Sequence, residues 1–189
     1  MHNALSRSLL TRLAIAAGSL FIFASFNGAS HLFDWDEINF AESAREMLVS
    51  GNFSTVQINF RPFWEKPPLF IWMQALSMQL FGINEFAARF PNAICGMATL
   101  LLLFHAGEKL RGYRFGLLWT LIYAGSFLPF FYFKSGIIDP WFNLFIFSSA
   151  WLLMRCTDPS FTGSKPLTAA VSGVLIGLGM LTKGPVALL

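Results

Sequence analysis

Four short stretches carry charges that an otherwise apolar chain would be expected to avoid: WDEINFAES at 35–43, WEKPPL at 64–69, SGIIDPW at 135–141 and LTKGP at 181–185. A carboxylate can take a proton from an attacking hydroxyl or amine. Ammonium groups can stabilise a departing phosphate. Asp36 and Glu37 supply the first kind of group, with Asp34 just upstream. Lys66 and Lys183 supply the second, and Glu65 and Asp139 lie beside or between them in the sequence. Each has a plainer local reading. Asp36 and Glu37 suit the first turn of a helix, where the dipole favours acids. Neighbouring residues on a helix face different ways, so at most one of that pair points into a shared site. Lys66 precedes a proline, which predicts an extended backbone, and Pro67 suits the first position of a helix. Glu65 and Lys66 would then sit on a stiff segment at a helix N-terminus, where free N–H groups favour anions. The plain alternative is an interfacial ion pair that anchors the helix. Asp139 before Pro140 reads as a helix N-cap, and Lys183 before Gly-Pro as a snorkelling or dipole-compensating lysine.

The elements that must hold these groups belong to a membrane protein. Of 189 residues, 55% are apolar, only 12% are charged and 22 are Phe, against about 25% charged in soluble domains. A formal charge of +3 does not suggest a nucleic-acid partner. Cys95 and Cys156 form no CxxC pair, and His2, His31 and His105 form no zinc pattern.

Apolar runs at 9–30, 86–107, 115–133, 140–154 and 167–181 are the expected spans, the first with a cleaved signal peptide as its competing reading. Between the first two lies an outer loop, 31–85. In it, Ile38, Ala41, Ala44 (or Arg45) and Leu48 mark an amphipathic helix that Gly51 stops. The run 67–82 is short, carries Gln74 and Gln79, and fits an interfacial helix better than a span. With 67–82 at the surface, the side holding the N-terminus, 108–114 and 155–166 carries seven bases against two acids. The positive-inside rule makes that side cytoplasmic. Asp34, Asp36, Glu37, Glu65, Lys66, Lys134, Asp139 and Lys183 then all fall on the outer face. The chain stops at LTKGPVALL, as a new apolar run begins, and reads as the N-terminal part of a longer polytopic protein.

The succession DE, AxxAREML, SGNF, FxEKPPLFxWxQALSxxLFGxNEFAARxP and GLGxLTKGPVALL resembles the N-terminal half of bacterial GT-C glycosyltransferases. The lipid A aminoarabinose transferases and the wider protein O-mannosyltransferase-like group are the most similar. The likeness is dense over about 30–100 and sparser over 134–189. It implies an all-α, polytopic GT-C type helical bundle with amphipathic juxtamembrane helices in the first outer loop, in the bacterial inner membrane. It implies transfer of a sugar, with inversion, from a polyprenyl-phosphate donor to an extracytoplasmic acceptor: lipid A or another glycolipid, a glycan or a protein. By resemblance Asp36 is the catalytic carboxylate, with Glu37 a lesser candidate. Glu65 and Lys66 lie near the lipid phosphate or acceptor, Asp139 is a second acid, and Lys183 binds phosphate. Relatives can hold a divalent metal near Glu65. Asn39 and Phe40 stand where many relatives carry Arg and Tyr. The reading from another class is a transporter or flippase of lipid-linked sugars, which would use the phosphate clamp without a base. The two part at Asp36→Asn, which only the enzyme should fail to tolerate.

Overall fold

A computed structural model describes residues 2–33 and 35–188, the side chains of 2–5 excepted. Asp34 therefore lies outside the described residues. Eight α-helices follow in chain order: α1 (His2–Ala24), α2 (Trp35–Ser50), α3 (Leu69–Phe81), α4 (Glu85–Arg111), α5 (Tyr113–Ala124), α6 (Phe127–Phe133), α7 (Asp139–Thr157) and α8 (Lys165–Lys183). The expected polytopic helical bundle is observed, with one addition. Residues 57–58 and 61–62 form a small antiparallel hairpin in the outer loop, pairing Gln57 with Pro62 and Ile58 with Arg61. Its turn residues Asn59 and Phe60 have φ of 55° and 56°, as a type I′ turn requires. The Phe60 N–H is held by Glu46 Oε2 at 2.8 Å.

α4 is the post around which the rest is arranged. Asn84 caps it by accepting from Ala87 N at 2.9 Å, and Gly112 ends it with φ 85°. A left-handed end of this kind costs glycine nothing. α1 and α5 pack on two sides of it, and α7 pairs with α8. At Gly107 the packing is backbone to backbone: an added Cβ would come within 2.6 Å of Gly116 Cα on α5.

Side-chain contacts establish two ends. Arg12, about midway along α1, meets Glu108 near the end of α4 at 2.6 Å, and Thr11 meets Tyr113 at the start of α5 at 2.9 Å. At the other end Lys134 donates to Ser25 O at 2.6 Å, and Lys183 at the end of α8 binds Asp139 at the start of α7.

Several boundaries differ from the sequence expectation. α1 ends at Ala24 and the chain turns over 25–28, so the first span is earlier than 9–30. The run 115–133 is two helices bent by 72° at Gly125–Ser126. α7 extends the short 140–154 run to 19 residues. By length and composition α1 (from Ser6), α4 and α8 can cross a membrane, with the bent α5–α6 pair as a fourth; α7 is not among them. α3 starts at Leu69 rather than Pro67, with Pro68 at its cap, and Glu65 lies in a turn and Lys66 in a bend rather than in an extended segment. α2 buries Phe40, Ala41, Ala44 and Met47 against α3 and Glu37 against Arg89 of α4, leaving Ile38 half exposed. Its inward stripe is therefore rotated from the one read off Ile38.

Candidate active site

The bond network begins with the side chains that carry no exposed charge. Glu37 is fully buried. Its Oε1 accepts from Arg89 Nε at 2.8 Å and Gly136 N at 2.6 Å; its Oε2 accepts from Arg89 NH2 at 2.9 Å and Phe33 N at 2.8 Å. The remaining Arg89 hydrogens go to Asn27 O at 2.7 Å, Ser30 O at 2.9 Å and His31 O at 2.9 Å. A carboxylate has about four acceptor positions and a guanidinium about five donors, and here all are used. The result ties the end of α1, the start of α2, the first turns of α4 and the loop before α7 into one knot. Asn92, also on α4, extends it by donating to Ser135 O at 2.6 Å and Ile137 O at 2.7 Å. Burial pushes the Lys134 ammonium below its ordinary range, with the Arg89 charge adding to the effect.

Asp36, one residue from Glu37, is rotated about 100° around α2 and points outward. Its side chain is 46% exposed and its Oδ1 is 4.0 Å from Lys66 Nζ. On its other side Lys66 meets Glu65 Oε1 at 3.4 Å, and Glu65 is 60% exposed. The Lys66 ammonium lies 5.9 Å from the centre of the Phe40 ring, which Phe70 braces edge-on. Lys183 mirrors this arrangement, with Asp139 as its acid and the Phe142 ring at 5.5 Å. Asp139 is in the first turn of α7, with Ile138 at the cap position, so its side chain serves Lys183 rather than capping the helix.

A cavity of about 370 Å³ joins the two lysines. Trp64, Glu65, Lys66, Pro67, Lys183 and Gly184 are among its walls. Asp36 and Asp139 are absent from these walls, but each contacts a lysine that forms one. The fold thus brings Asp36, Glu65, Lys66, Asp139 and Lys183 to one end, two acid–lysine clusters around one cavity, and places Glu37 in the knot behind them.

Among the described residues no three His, Cys, Asp or Glu side chains converge, and the Lys66 ammonium lies within 4.0 Å of Asp36 and 3.4 Å of Glu65. Arg89, Asn92 and Gly136 were not singled out from sequence. Arg89 had one legible signal, a cation within a long apolar helix, which marks a buried partner.

Residues 65–189 match the family described as dolichyl-phosphate-mannose-protein mannosyltransferase. The chain is 31% identical over 154 residues to an undecaprenyl phosphate-alpha-4-amino-4-deoxy-L-arabinose arabinosyl transferase of Edwardsiella ictaluri, covering 81% of this chain and 28% of that protein. The corresponding Photorhabdus laumondii transferase is 29% identical with the same coverage. The crystal structure of ArnT from Cupriavidus metallidurans bound to undecaprenyl phosphate superposes with a TM-score of 0.83 at 23% identity, over 95% of this chain and 33% of that one. Its apo form gives 0.80 over 97% and 34%. The chain spans about a third or less of the length of these relatives, and the structural likeness shows a shared fold.

Proposed function

The chain belongs to the dolichyl-phosphate-mannose-protein mannosyltransferase family, and from that premise we propose that it forms the donor-side part of a membrane glycosyltransferase site. The donor is a sugar carried on a polyprenyl phosphate, the class of lipid named in its relatives. The acceptor is an extracytoplasmic glycolipid, glycan or protein. The observation that carries this reading is the cavity walled by both Lys66 and Lys183, with a partly exposed carboxylate on each lysine. Phosphate chemistry needs cations, proton removal needs a carboxylate, and here they are adjacent.

In the proposed step the acceptor oxygen or nitrogen attacks the anomeric carbon from the face opposite the phosphate. Asp36 takes the acceptor proton as that bond forms. The bond from the anomeric carbon to the phosphate oxygen breaks, and its electron pair leaves with the polyprenyl phosphate. Lys66 and Lys183 stabilise that developing charge. A phosphate oxygen on Lys66 exchanges with Glu65, whose exposed carboxylate can swing into solvent. Asp139 orients Lys183. Glu37, with every acceptor position occupied, positions α2 instead of touching substrate. The site end faces outward, because the opposite end of the bundle carries the excess of bases.

The test is release of polyprenyl phosphate from radiolabelled polyprenyl-phosphate sugars by the full-length protein in proteoliposomes, wild type beside Asp36→Asn. Release by the wild type and its loss in the variant supports the reading. Labelled lipid crossing the bilayer with both, without release, makes the protein a transporter.

A further inference from the structure

The flank of the bundle between α1 and α5 holds a second arrangement that the proposed chemistry does not use. α1 and α5 both lean on α4 but pack only sparsely on each other, and a groove of about 390 Å³ runs between them. Thr11, Gly18 and Ile22 form one wall, Tyr113, Leu117 and Leu121 the other. Two of its polar residues are turned inward: Ser19 Oγ donates to Ile15 O at 2.5 Å, and Thr120 Oγ1 to Gly116 O at 2.9 Å. The groove is therefore apolar along its length. From Thr11 to Ile22 it rises about 16 Å, close to half of a hydrocarbon core of about 30 Å. At Gly18 it is open, since an added Cβ would meet nothing within 4 Å.

The mouth of the groove is cationic. An open surface patch formed by Ser6, Arg7, Leu10, Thr11 and Ala14 adjoins it, sharing Thr11 and Ala14 with the groove. Thr11 and Tyr113, hydrogen-bonded at 2.9 Å, mark the boundary. The Arg7 guanidinium lies 4.2 Å from the centre of the Tyr113 ring, so its stem is held. Arg12 spends its charge on Glu108, which Ser8 also bonds. Arg7 enters no ion pair among the described residues. A planar cation fixed at the mouth of a leaflet-long apolar slot is complementary to a phosphate ester attached to a hydrocarbon chain.

We infer that this groove seats one acyl chain of an anionic glycerophospholipid, with its headgroup phosphate on Arg7. The occupant is a resident lipid of the leaflet nearest Arg7. The site is separate from the charged cavity, and its fate does not depend on the proposed transfer reaction.

Native mass spectrometry of the protein, released from detergent with dioleoyl phosphatidylglycerol or dioleoyl phosphatidylcholine, tests this. Wild type should retain the anionic lipid about five-fold more than the zwitterionic one, the value of one cation at an anionic surface. Arg7→Gln should bring the two to parity, and Gly18→Leu should lower retention of both. Arg114→Gln and Gly173→Leu should change neither. Gly173 also has open space where its Cβ would be, so it controls for the cost of a leucine in a helix. Equal retention of the two lipids by wild type overturns the inference. So does an unchanged preference in Arg7→Gln, or unchanged retention in Gly18→Leu, which would mean another segment covers the groove. Loss of preference in Arg114→Gln equal to that in Arg7→Gln would also overturn it, by indicating a diffuse basic belt.

Discussion

Asp36 and Glu37 are neighbours in sequence and the same kind of group, yet they have opposite surroundings. Glu37 is enclosed by four donors and cannot accept a fifth. Asp36 is half exposed and faces one lysine at 4.0 Å. The same contrast holds between the cations: Arg89 uses every hydrogen it has, whereas Lys66 and Lys183 form cavity walls. Saturation separates a group that builds from a group that keeps capacity for a further partner. A buried ion pair with all its valences filled is costly to break and offers a substrate nothing, while a partly paired charge beside a cavity can change partners. The knot is also close to the site for a reason. It fixes the first turn of α2, which aims Asp36, and through Gly136 it fixes the loop that delivers Asp139.

The contrast can be broken at its reactive side first. Asp36→Asn should lower the transfer activity of the full-length protein by about 10²- to 10⁴-fold, with thermal stability in detergent within about 0.5 kcal/mol of wild type; equal losses of both would place Asp36 among the structural residues. At the structural side, Arg89→Met leaves Glu37 buried without its cation, and stability should fall by about 3–5 kcal/mol, read as an early unfolding transition by circular dichroism. Gly136→Ala attacks the same knot by volume. Its Cβ would come within 3.1 Å of Gln74 Nε2 and 3.2 Å of both Ala88 O and Glu37 Cγ, so a loss of about 1–3 kcal/mol is expected in the same measurement. The smallest effect belongs to the other side. A double-mutant cycle of Lys183→Gln and Asp139→Asn should give a stability coupling of about 0.2–1 kcal/mol, with Lys183→Gln raising the donor KM. A coupling as large as that of the knot would move this pair into the framework.

Charge patterning made the arrangement of the ends legible before any coordinates. Counting bases in the connecting loops put Asp36, Lys66, Asp139 and Lys183 on one face, and the structure collects them at one end. What the sequence left open was pairing. Lys183 and Asp139 are 44 positions apart, and each has a sufficient local explanation in its own helix end. Glu37 and Arg89 are 52 apart, and in sequence Glu37 is indistinguishable from Asp36; only the rotation of α2 on α3 decides which acid faces inward. The apolar spacing points to a different face because Ile38 is apolar yet outward, in a protein whose outside is itself apolar. The start of α3 slipped by two residues for a related reason: two consecutive prolines both satisfy a helix start, and the turn at Trp64–Glu65 consumed the segment expected to be extended.

The 72° bend after α5 has a further consequence. It turns α6 sharply away from the axis of α5 and leaves Phe127, Phe130 and Phe131 exposed as an aromatic edge. Phe131 packs on Phe33 at 5.3 Å, and the Phe33 N–H is one of the four bonds on Glu37. The exposed edge of α6 is thereby linked, through Phe131 and Phe33, to the buried carboxylate that fixes the first turn of α2 and so aims Asp36.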